Sequence, residues 1–143
     1  MATERIEIVV VEDSRADADL VGMVLQEHQI ACRMRVIRDG AKAIELLNAL
    51  DRDPKAPQLD LFIVDMHLPK RSGEDVLRRL QSTERYAQCP VIVLTGLDSP
   101  IGKDTATKQA AIVYFRKPST LDEYMQLGPM IRQVLRTKAG DAA

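Results

Sequence analysis

The chain has 143 residues, 45% hydrophobic and 29% charged, which fits one domain whose core needs no disulfide or structural metal. Lys and Arg number 20 against 21 Asp and Glu, a net charge of -1 that leaves no electrostatic footprint for nucleic acid or an anionic membrane. The apolar runs are too short to span a bilayer, and the acids in MATERIEIVVV are unlike a secretory leader, so a cytoplasmic protein is expected.

Residues 6–11, IEIVVV, are β-branched at every position but Glu7, as a strand buried on both faces requires. Ser14 offers a helix cap with Asp17 three residues on, and Leu20, Val21, Val24 and Leu25 recur at helical spacing. His28 then reads as a polar helix-end residue. Residues 31–37 alternate, Cys32, Met34 and Val36 against Arg33 and Arg35, which predicts an edge strand with one wet side. Asp39-Gly40 turns the chain into a helix striped by Ala43, Ile44, Leu47 and Leu50. A polar connection, DRDPKAPQ at 51–58, leads to a buried strand over 59–64 and a loop carrying Pro69 and Gly73. Val76, Leu77 and Leu80 mark the third helix, and residues 91–94 the fourth strand. A weakly apolar helix over 102–110 precedes the fifth strand at 112–115. The last helix carries Leu121, Tyr124, Met125, Ile131 and Leu135, with Gly128-Pro129 expected to kink or divide it. Cys32 and Cys89 have neither CxxC spacing nor a nearby His and read as reduced, half-buried thiols.

Five strands alternating with five helices give an α/β fold, a doubly wound parallel sheet. Residues 1–143 read as one domain, with a core over about 5–137 and a frayed tail. In such sheets ligands bind beyond the carboxyl ends of the strands. The first strand ends in Glu12-Asp13, the third in Asp65, the fourth in Thr95 and the fifth in Lys117. Any one of these residues is an ordinary strand-end or capping residue. Together they place three carboxylates, a hydroxyl and a lysine at one edge. Crowded carboxylates raise each other's pKa unless a cation sits among them, and oxygen donors without His or thiolate suit Mg²⁺. A lysine and a hydroxyl facing the same pocket are what phosphoryl oxygens need.

With these residues in view, the chain resembles the receiver domain of bacterial two-component response regulators over residues 5–137. The matching stretches are VVVEDS with Glu12-Asp13, LFIVDMHLPKRSG with Asp65, Pro69 and Gly73, VIVLTG with Thr95, and YFRKP with Tyr114, Lys117 and Pro118. The resemblance implies a flavodoxin-like strand order of 2-1-3-4-5 and assigns roles residue by residue. Asp65 would accept a phosphoryl group from a phosphohistidine on a sensor histidine kinase or phosphotransfer protein. Asp13, Asp65 and the backbone carbonyl of His67 would hold Mg²⁺, with Glu12 reaching it through water. The imidazole of His67 is then expected to face solvent. Lys117 would contact the phosphoryl oxygens, with a cis bond to Pro118. Thr95 would move to the phosphoryl group and Tyr114 would follow, altering the 95–135 surface. Ala110-Ala111 replace the usual Gly-Ala, and Gly128-Pro129 is unusual in the last helix.

The expected function is a phosphorylation switch or phosphate carrier, with output through a downstream protein target, a homodimer through the 95–135 surface, or onward phosphotransfer. Direct nucleic-acid binding is not expected. LPKRSGEDVL, CPVIVLTG and the 51–58 loop resemble receivers that partner bacterial phytochrome kinases. An alternative is a Mg²⁺-dependent phosphohydrolase with an aspartyl nucleophile, but His67 stands where such enzymes want a second Asp. The other alternative is a binding module that works without phosphorylation, which would normally have lost the acids or the lysine. Two positions flank the in-line approach of a hydrolytic water, His67 and Leu97, and the apolar Leu97 leads to an expected long phosphoryl lifetime.

Overall fold

The computed structural model describes residues 6–96 and 112–138. In chain order these form β1 (Ile6–Val11), α1 (Arg15–Glu27), β2 (Cys32–Ile37), α2 (Gly40–Arg52), β3 (Leu61–Asp65), α3 (Gly73–Ser82), β4 (Val91–Thr95), β5 (Ile112–Arg116), α4 (Leu121–Tyr124) and α5 (Leu127–Lys138). The strands make one parallel sheet ordered β2-β1-β3-β4-β5, the expected doubly wound arrangement. The helix expected at 102–110 lies outside the described residues; the other four expected helices are present, the last in two pieces. No helix among the described residues is long and apolar enough to cross a membrane.

Side chains alternate across the sheet, as the pleat requires. Ile8, Val10, Leu61, Ile63, Ile92 and Leu94 pack with α1, α4 and α5 on one face. Val9, Val11, Phe62, Val64, Val91 and Val93 pack with α2 and α3 on the other. The exposed Arg33 and Arg35 lie on β2, which is an edge strand as its alternation predicts. Cys32 and Cys89 are both free thiols, one half-buried and one buried.

β3 starts at Leu61, not at 59, for a reason visible in its hydrogen bonds. The Asp60 carboxylate accepts the Glu7 N–H at 2.8 Å, and Asp60 returns its own N–H to the Glu7 carbonyl at 2.9 Å. A side chain thus substitutes for the ladder at the strand's first step.

The last helix divides at Met125–Gln126, ahead of Gly128-Pro129. Pro129 falls in the first turn of α5, where its missing N–H is tolerated. A continuous helix would need that N–H to reach the Met125 carbonyl. The carbonyl instead accepts from Gly128 N–H at 3.0 Å and from the His28 ring Nε2–H at 3.1 Å. His28 is therefore more than a polar end to α1. Its ring lies where Gly128 would carry a Cβ, and its carbonyl accepts from the Arg132 guanidinium. The two helices are stapled at this point.

Candidate functional site

The carboxyl ends of β1, β3, β4 and β5 bring the predicted residues to one edge of the sheet. Backbone bonds hold them there: Glu12 N–H to the Ile37 carbonyl at 2.9 Å, Met66 N–H to Leu94 at 3.1 Å, and Lys117 N–H to Thr95 at 2.8 Å. Glu12, Asp65 and Thr95 are buried, while Asp13 is exposed. Oxygens of Glu12, Asp13 and Asp65 lie within 4.8 Å of one another.

Lys117 is the counter-charge. Its Nζ lies 2.8 Å from Glu12 Oε2, 3.0 Å from Asp17 Oδ2 and 3.1 Å from Asp65 Oδ2. The other oxygens are also engaged. Glu12 Oε1 accepts from Ser14 N–H at 3.1 Å, and Asp65 Oδ1 from His67 N–H at 3.1 Å. Burial pushes the Glu12 carboxyl up to about 7; Asp65 adds to that push and Lys117 opposes it. Burial alone would lower the Lys117 ammonium, but its carboxylate partners, Glu12 foremost, outweigh burial and hold it above the ordinary lysine range. An all-oxygen cluster in which ionisation is opposed by burial can hold a divalent cation, which would remove that penalty.

Thr95 sits one residue past the Asp65–Leu94 pairing, and its buried hydroxyl has no hydrogen-bond partner among the described residues. Such an orphan is costly unless something else arrives to accept from it. Tyr114 pairs with Val93, two residues before Thr95, so strand alternation sets Tyr114 and Thr95 on one face of the sheet. Tyr114 is half-buried, and His67 is exposed. Leu97 lies outside the described residues.

Two glycines brace the loop that follows Asp65. Gly73 has no room for a Cβ against the Asp65 carbonyl, and Gly40 has none against the Arg71 carbonyl. Gly40 N–H also reaches the Pro69 carbonyl at 3.3 Å. Lys70 adopts a left-handed φ of 71° in the same loop. The cis bond expected at Lys117–Pro118 is not found. The peptide bonds of the described residues are trans, the form that X–Pro bonds favour by default, and Lys117 reaches its three acids from it.

Sequence reasoning missed two members of this neighbourhood. Asp17 read as part of a helix start, and it does give its N–H to the Ser14 hydroxyl at 3.2 Å. Its carboxylate, however, pairs with Lys117. The available signal was position: an acid in the first turn of a helix that begins at Ser14, right beside Asp13. Tyr124 read as part of an apolar stripe. It does pack edge-on to Phe115, with ring centroids 5.8 Å apart, yet its buried hydroxyl has no partner among the described residues. Burial first, and then the charge of Asp17, hold that phenol above its ordinary range. The aromatic ring therefore roofs the hydrophobic core next to the acid cluster.

Comparison with known proteins adds the following. The family model described as the response regulator receiver domain matches residues 8–127. Response regulator Rcp1 of a Synechocystis species is 35% identical over 88 residues, covering 62% of this chain and 60% of that protein. The crystal structure of the phosphorylated cyanobacterial phytochrome response regulator RcpA superposes with a TM-score of 0.74 at 26% identity, covering 91% of this chain and 93% of that one. The Mn²⁺-bound form of Rcp1 gives a TM-score of 0.72 at 27% identity, covering 90% and 92%. The chain spans 60%, 65% and 62% of the length of the first three curated relatives it matches.

Proposed function

This chain belongs to the response regulator receiver family, and from that membership we propose that Asp65 accepts a phosphoryl group from a sensor histidine kinase or a phosphotransfer protein. The phosphorus–nitrogen bond of the partner's phosphohistidine breaks as a phosphorus–oxygen bond to Asp65 forms. Asp65 Oδ2 is the attacking atom, because Oδ1 is held by the His67 N–H and Oδ2 faces Lys117. Lys117 then neutralises phosphoryl oxygens, and the Thr95 hydroxyl gains the acceptor it lacks. Tyr114 follows Thr95 and carries the change to the 95–135 surface.

Asp13, Asp65 and the His67 carbonyl, with Glu12 behind them, are proposed to hold Mg²⁺. When bound, the ion supplies positive charge to phosphoryl oxygens and offsets the crowded carboxylates. The likeness to the cyanobacterial phytochrome response regulator RcpA supports a phytochrome-type kinase as the donor. Output is proposed to run through a downstream protein, a homodimer through the 95–135 surface, or onward transfer of the phosphoryl group.

One observation carries the reading: the 3.1 Å contact from Lys117 Nζ to Asp65 Oδ2, at the strand end beside the orphan Thr95 hydroxyl. Incubation with acetyl phosphate and Mg²⁺, followed by intact mass, should show one added phosphoryl group. Asp65→Asn, or an excess of EDTA, should show none. Stable labelling of Asp65→Asn at another residue would sink the assignment.

A further inference from the structure

A lysine ammonium has three N–H donors, and Lys117 Nζ stands against three carboxylates, hydrogen-bonded to Asp17 at 3.0 Å and Asp65 at 3.1 Å and ion-paired with Glu12 at 2.8 Å. A phosphoryl group on Asp65 brings new oxygens to this ammonium, and they can be served fully only if an existing bond yields. The Asp65 contact passes to the phosphoryl oxygens as Oδ2 takes on phosphorus. Glu12 cannot yield readily, because its side chain is 0% exposed and would be left a buried charge without its cation. Asp17 is different. Its side chain is 28% exposed and stands on the first turn of α1, so its carboxylate can exchange the lysine for water at small cost.

We propose that Asp17 is a positioning residue for phosphoryl uptake. It holds Lys117 while Asp65 is unmodified, yields it to the phosphoryl group, and slows uptake through the negative charge it contributes. The inference rests on the phosphoacceptor reading of Asp65. Two features of the geometry support it. The Ser14 hydroxyl anchors the Asp17 backbone N–H at 3.2 Å, so the carboxylate can swing from a fixed turn. The oxygens of Glu12, Asp13 and Asp65 converge without Asp17, so its charge acts on the lysine and on the incoming group and not as part of that cluster. A residue serving only the helix start would influence stability and leave the electrostatics of uptake alone.

The test compares the unsubstituted protein with Asp17→Asn and Asp17→Glu, using acetyl phosphate at saturating Mg²⁺ and intact mass as readout. Removing one charge beside an anionic donor should speed uptake by a factor on the order of 3–10. It should also change the ionic-strength dependence of the rate, and Asp17→Glu should restore both properties. A second readout needs no turnover. In metal-free protein, ¹⁵N-edited NMR should show faster proton exchange at the Lys117 ammonium in Asp17→Asn, with wild-type exchange in Asp17→Glu. If Asp17→Asn labels at the wild-type rate with the wild-type salt dependence, or labels more slowly, the proposal is overturned. Failure of the unsubstituted protein to label at all is a separate result, because it removes the phosphoacceptor reading and this inference with it.

Discussion

Glu12 is the residue whose environment most opposes its usual charge. It is wholly buried, and its carboxyl is pushed up to about 7 by burial and by Asp65, against an ordinary 4.5. The sign of the consequence follows from proton binding. Between about 4.5 and 7 the unfolded chain releases this proton and the folded chain keeps it, so stability falls as pH rises through that window and levels off above it. In metal-free buffer, the urea midpoint of the wild type should therefore drop from pH 4.5 to 7 relative to Glu12→Gln, which has no proton to lose. Parallel curves for the two proteins would show that Glu12 ionises freely. A divalent cation should flatten the wild-type curve, because it binds the folded, ionised cluster and not the unfolded chain. The acids themselves were legible from the strand ends they terminate. The partner of Asp17 was not, because local sequence shows a capping acid and the pairing lysine lies 100 residues away.

At the scale of elements, local pattern placed the five strands to within about two residues at each end and found the four helices that fall among the described residues. The exceptions are instructive. β3 begins late because the Asp60 side chain takes over a ladder bond, which no periodicity reveals. Gly128-Pro129 does mark the divided helix, but the break falls earlier, since a proline weakens the turn that precedes it and is at home in the turn it starts. The gap is closed by His28 from another helix, a contact that the sequence of α5 alone cannot contain. The seam makes a testable demand on Gly128. Alanine there would favour the helix by about 1 kcal/mol, yet its Cβ collides with the His28 ring, and such overpacking costs about 1–3 kcal/mol. Gly128→Ala should lower the urea midpoint, and adding His28→Ala should recover part of the loss. Strict additivity of the two substitutions would mean the helices are not coupled through this contact.

For the molecule as a whole, the parallel sheet does most of the functional arranging. Four strand ends converge at one edge, and the fold class was enough to anticipate that Glu12, Asp13, Asp65 and Lys117 meet there, but not that Asp17 joins them from α1. What the fold class cannot say is which bonds form among them, and the trans bond at Lys117–Pro118 is one such case. Proposed communication from that edge runs through Thr95 and Tyr114, which share a face of the sheet. With Asp65 occupied by a beryllofluoride mimic, sedimentation should show altered self-association or partner binding. Hydrogen exchange should change between residues 95 and 135. If neither changes at full occupancy, the signalling reading of this surface fails.

The order of the strands along the chain also governs how the protein comes into being. β1, β2 and β3 are neighbours in the sheet and are synthesised first, so they can pair while the rest is still on the ribosome. Pairing at that stage brings Glu12 and Asp65 together with no ammonium between them. Lys117 follows Asp65 by 52 residues, a delay of roughly 3–10 s at about 5–20 residues per second. During that interval the two acids meet without their lysine, so closing the three-strand fragment should favour a proton or a divalent cation between them. A chain ending before β5 should therefore gain structure on acidification or on adding Mg²⁺, as far-ultraviolet circular dichroism would report, whereas the full chain carries its own counter-charge for that closure.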